Sequence, residues 1–198
     1  MAFEALGRGA ELDNQRDRDR WIGVYIGILA VILAICSMGG DNAAKEATRN
    51  NIAATDTWAF MQAKNIRRQM MRLQVDDLEI LAASQPQLSD ALRATIDAKV
   101  SGYKDYEKRL TSEPSTGEGI DELMPKAKAY EAARDVALRQ DPYFDYGQAL
   151  LQIAIVLASI AIISGGTMLL GVSGLLGALG TLLTLNGFML ITSLPYLG

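Results

Sequence analysis

The sequence predicts an all-α integral membrane protein, with three transmembrane helices and an extramembrane, coiled-coil-like helical hairpin between the first and second spans. Three observations carry that expectation. The 198 residues include 19 Lys and Arg and 23 Asp and Glu, yet none of these lies between Trp21 and Met38 and none lies beyond Asp145. An uncharged apolar run of about 18 residues or more is what a helix needs to cross hydrocarbon. Between these runs the apolar residues recur at helical spacing, and no segment alternates as a strand would.

Residues 1–20 form a polar N-terminal segment in which Arg16, Arg18 and Arg20 alternate with Asp17 and Asp19. Phe3, Leu6 and Leu12 are too few for a membrane-surface helix. The first span, residues 21–38, reads WIGVYIGILAVILAICSM. At 1.5 Å per residue it reaches about 27 Å, enough for the hydrocarbon core. No small-x-small site follows it, which predicts an uncleaved anchor. Cys36, the single cysteine, reads as a small hydrophobe.

Residues 39–145 form the extramembrane helical domain. From about 42 to 83 there is neither Pro nor Gly, and Ile52, Ala59, Ile66, Leu73 and Ile80 recur every seven residues. That is one apolar stripe on a long helix, and Pro86 ends it by disfavouring helical geometry at Gln85. Ser89 is placed to cap a second helix carrying Ile96 and Tyr103, and Ser112–Gly119 has loop composition. A third helix is expected over residues 121–139. Amphipathic helices with charged outer faces bury their stripes against one another or against another subunit. Ile52, Trp58, Gln62, Ile66, Leu73, Ile96 and Tyr103 are the expected packing residues. Asp141 and Pro142 resemble an N-cap and first helical position. Tyr143, Phe144 and Tyr146 then supply an aromatic belt. The second span covers residues 146–164, Ser164-Gly165-Gly166 breaks it, and the third covers residues 167–193.

The spans are rich in small residues, which let helix backbones approach in lipid. Gly23 and Gly27 mark the first, and Ala154 and Ala158 the second. The third carries Gly171, Gly174, Gly177, Ala178 and Gly180, and it shows a small residue on more than one face. These positions are the expected helix-packing and oligomer interface. Gln152, Thr181, Thr184 and Asn186 are polar at membrane depth, as pore lining or as interhelical glue. No ionisable residue lies within a span, which argues against a proton- or voltage-driven pump.

Histidine is absent, which removes the commonest general base and metal ligand. Asp141 and Asp145 share a helix face, but no third polar partner accompanies them. No catalytic, metal or cofactor residue is therefore expected, and neither is an enzyme. A net charge of −4 with both signs interspersed gives no reason to expect nucleic acid. The expected partners are the lipid bilayer and either further copies of the chain or other membrane subunits.

The stretches TDTWAFMQAKNIR (Thr55 to Arg67) and DPYFDYGQALLQIAIVLASIA (Asp141 to Ala161), with Glu131 to Asp135 between them, resemble a bacterial membrane-protein family. It is catalogued as a domain of unknown function, number forty-three thirty-seven. The resemblance covers most of the chain from Trp21 onward and implies three spans and a helical domain; it brings no activity. The arginines before the first span place the N-terminus in the cytoplasm and the helical domain in the periplasm of an inner-membrane protein. Two function classes follow. One is a non-enzymatic scaffold or accessory subunit that assembles through helix packing. The other is a homo-oligomeric channel lined by the third span.

Overall fold

The computed structural model describes residues 2–192, with side chains from Gln15 onward, and every regular element among them is a helix. Four helices follow in order: α1 (Ala2–Ser84), α2 (Asp90–Thr111), α3 (Ile120–Ser164) and α4 (Thr167–Met189). The chain divides into two compact units, one made of Met1–Ala47 with Asp135–Gly198 and the other of Thr48–Arg134. Residues 39–47 and 135–145 thus belong with the apolar helices, inside the range that the sequence assigns to the extramembrane domain. The expected end of the third span at Ser193 lies outside the described residues.

Two boundaries differ from the sequence reading. A span ending at Met38 and a helix beginning near Asn42 are one continuous α1, because the intervening glycines are held in a packed contact. A Cβ on Gly39 would lie 2.5 Å from the Phe144 ring and 2.9 Å from that of Phe188. Glycine within a helix costs about 1 kcal/mol relative to alanine; here it admits an aromatic ring against the helix backbone. Likewise Asp141 is not an N-cap: α3 runs through Pro142 without a break. The neighbours of that proline, Tyr143 and Phe144, are almost wholly buried at 1% and 2% exposure, and this packing overrides the local preference.

In the first unit the core gathers Leu29, Cys36 and Ala43 from α1 against Phe144, Leu151 and Ala154 from α3. The turn joining α3 to α4 uses Gly165 at φ +68°, a left-handed conformation that side chains resist. Tyr143 donates its hydroxyl to Thr192 O at 2.9 Å, fixing the segment after α4 to α3.

The second unit packs the later part of α1 with α2 and the start of α3. Ser89 caps α2, accepting from Leu92 N at 3.4 Å. Its core holds Ala54, Val75, Ile96, Leu110, Leu123 and Ala127. Trp58 donates Nε1 to Glu131 at 2.9 Å, so α1 and α3 are tied by a hydrogen bond as well as by apolar contact. Arg72 with Glu107 and Lys104 with Glu79 bridge α1 to α2. Lys64 is buried, its ammonium 3.8 Å from Glu118 and 5.0 Å from the Phe60 ring centroid.

Candidate helix-packing faces

α1, α3 and α4 are each long and apolar enough to cross a membrane, by length and composition. Within the first unit their small residues fall into two groups. The inward group brings backbones together. Ala154 and Ala158 are fully buried on α3, and Ser173, Gly177, Gly180, Thr184 and Gly187 are buried on α4. A Cβ on Gly177 would meet the Tyr25 hydroxyl at 2.9 Å and Leu29 at 3.0 Å. One on Gly180 would meet Leu151 at 2.8 Å and Gly147 O at 3.0 Å.

The outward group is unused by the chain itself. A Cβ on Gly23, Gly27, Gly171 or Gly174 would meet nothing within 4 Å, and Ala178 is exposed. The small residues that the sequence pointed to thus serve two different purposes. Ala154, Ala158, Gly177 and Gly180 pack the three helices of one chain, whereas Gly23, Gly27, Gly171, Gly174 and Ala178 leave open faces.

The polar residues at the same depth are largely satisfied within the chain. Thr181 and Thr184 donate to Gly177 O and Gly180 O, one turn back on α4, at 2.7 and 2.8 Å. Asn186 donates to Thr192 O at 2.9 Å and accepts from Thr192 N at 3.0 Å, closing the end of α4. Gln152 is exposed on α3.

A polar tie across three helices went unread in the sequence. Ser173 Oγ on α4 donates to Ala154 O on α3 at 2.6 Å, and the Tyr25 hydroxyl on α1 donates to Ser173 O at 3.0 Å. The signal for it was Tyr25 itself. A phenol in the middle of an apolar run needs an acceptor, because an unpaired hydroxyl in hydrocarbon is costly.

In the second unit, the expected packing residues divide by face. Ile96 is buried, and Trp58 and Tyr103 are half-buried. Ile52, Ile66 and Leu73 are 56%, 50% and 62% exposed, and Gln62 is exposed as well. The inward face of α1 there instead follows two other seven-residue series. One is Asn50, Thr57, Lys64 and Met71; the other is Ala54, Met61, Arg68 and Val75, and every member is buried or half-buried. Met70 and Ile80 join the outward stripe at 55% and 66% exposure.

The acidic pair just ahead of α3's apolar run also has a definite environment. Burial, and then the charge of Asp145, push the Asp141 carboxyl above its ordinary value. Among the described residues no group of three or more His, Cys, Asp or Glu is placed to hold a metal ion.

No curated protein and no solved structure matches the chain. A family model does, the domain of unknown function DUF4337, over residues 18–190. That range takes in the three apolar helices and the helical unit between the first two, as the Trp58 and Asp141 motifs led one to expect. The chain belongs to the DUF4337 family.

Proposed function

We propose that this protein is a non-enzymatic, three-span protein of the bacterial inner membrane. It assembles laterally, as a homo-oligomer or as a scaffold subunit of a membrane complex, with its N-terminus cytoplasmic and its helical hairpin periplasmic. The observation that carries the reading is the outward stripe of Ile52, Ile66, Met70, Leu73 and Ile80 on a helix whose opposite face is already packed. Large aliphatic side chains at seven-residue spacing in a charged, water-facing region form one line of a coiled-coil seam, with Met70 the one large apolar residue at the intervening positions. The open glycines at positions 23, 27 and 171 support it, since they offer close helix contact to a neighbour in the bilayer.

The channel reading gains less support. Thr181, Thr184 and Asn186 spend their polar groups within their own chain, which leaves little to line a pore.

The test is the mass of the particle in mild detergent. The chain is 21.4 kDa, and the wild-type protein is expected at a multiple of that or with other subunits bound. Ile66→Gln with Leu73→Gln removes the seam at positions that are at least half exposed, so the fold loses little. The double variant is expected to dissociate while keeping its helical content. Gly23→Leu with Gly27→Leu tests the bilayer contact in the same way. A wild-type monomer that carries no other subunit would dispose of the assembly reading.

A further inference from the structure

We infer that the groove between α1 and α4 holds one glycerophospholipid, its phosphate on Arg18 and an acyl chain over Gly174. The inference rests on reading both helices as embedded in lipid. The groove has a volume of about 310 Å³ and is lined by Arg18, Trp21, Ile22, Tyr25, Leu170 and Gly174. Arg18 is its single charged lining residue, and no carboxylate lines it.

Arg18 has donors to spare. A guanidinium carries five N–H groups. Nη1 donates to Gly165 O at 3.2 Å and Nη2 to Asp19 Oδ1 at 3.3 Å, while the buried Nε finds no acceptor. A planar guanidinium with N–H groups beyond these two bonds suits a phosphate that can accept two at once. The bond to Gly165 O also fixes the group at the end of the bundle where α3 turns into α4.

The rest of the groove is apolar and leads away from that charge. Gly174 lies about 10 Å along α4 from Thr167, at 1.5 Å per residue. A Cβ there meets nothing within 4 Å, so a larger side chain at this position would extend into open groove. Trp21, 74% exposed, flanks the mouth, as tryptophan does at the level of lipid headgroups. A cation above an apolar channel matches an amphiphile with an anionic head. A free phosphate would leave the channel empty, and a neutral lipid would add no charge-assisted bond to a guanidinium whose one carboxylate partner among the described residues is Asp19 at 3.3 Å.

Native mass spectrometry of the full chain, delipidated in non-ionic detergent, tests this. Addition of dioleoylphosphatidylglycerol is expected to restore a single lipid adduct per chain. Dioleoylglycerol, which lacks the phosphate, and glycerol 3-phosphate, which lacks the chains, are expected to give none. Gly174→Leu fills the floor and Arg18→Gln removes the charge, and each is expected to weaken the adduct about tenfold. Helical circular dichroism confirms that each variant is folded. Equal binding of dioleoylglycerol, equal binding of glycerol 3-phosphate, or an unchanged adduct in both folded variants would overturn the proposal. The outcome is separable from assembly, because the same spectra report the number of chains from protein mass and the lipid from the adduct.

Discussion

Gly180 is a residue at which one methyl group would push two helix backbones apart. Its Cβ would stand 2.8 Å from Leu151 Cγ, 3.0 Å from Gly147 O and 3.2 Å from Leu151 N. A flexible side-chain tip could step aside, but two of these three atoms are backbone, so α3 and α4 would have to separate. Overpacking of this kind costs about 1–3 kcal/mol. Gly180→Ala is therefore expected to lower the thermal midpoint of the helical signal in detergent. Gly171→Ala, whose Cβ meets nothing within 4 Å, is expected to leave it unchanged or raise it slightly. Equal effects at both positions would mean that α3 and α4 do not approach as described. The sequence marks both glycines as small residues of one helix and cannot separate them, because the difference lies in which neighbour stands opposite.

At the scale of elements, the junction of α2 with α3 rests on Glu122. Its carboxylate accepts the Ser112 hydroxyl at 2.6 Å and the Glu113 N–H at 3.1 Å, folding the loop back on the first turn of α3. The Ser112 hydroxyl, then the Glu113 N–H, with a smaller contribution from the Lys64 charge, hold this carboxyl below its ordinary value. A carboxyl lowered in the folded state stabilises it above the unfolded pKa, and that contribution disappears as pH falls through the folded pKa. Wild type is therefore expected to exceed Glu122→Gln in thermal midpoint near neutrality, with the gap closing in acid. A gap that stays constant down to acid pH would remove Glu122 from this role. The Ser89 cap and the Ser112–Gly119 loop were readable in advance because capping and turn chemistry are local. The inward face of α1 in this unit was not. Asn50, Lys64 and Arg68 look like a solvated face until α2 and α3 pack against the helix, with Glu118 beside Lys64. The conspicuous aliphatic stripe, meanwhile, points away from the unit's own core.

For the whole molecule the decisive quantity is sidedness. Arg16 and Arg20 flank Arg18 beside the first span, and Arg18 holds Gly165 O, so the turn between α3 and α4 lies at the same end of the first unit. The other end carries Tyr143 with Thr192, the foot of α3's apolar run beside the end of α4. The three apolar helices therefore run up, down and up, an order already legible in the segregation of charge along the chain. In the inner-membrane protein proposed above, the end that faces the cytoplasm depends on the basic residues that flank the first apolar run, and these favour the N-terminal end. A single cysteine can decide it. Cys36 is fully buried and is expected to stay silent towards a membrane-impermeant maleimide, whereas Ser115 is exposed in the loop between α2 and α3. With Ser115→Cys, intact spheroplasts are expected to take up the label and wild-type spheroplasts none. Labelling only after the membranes are opened would place the helical unit in the cytoplasm. The outward stripe on α1 would then have to find its partner there, since a seam of Ile66 and Leu73 can pair only with a helix on the same side of the bilayer.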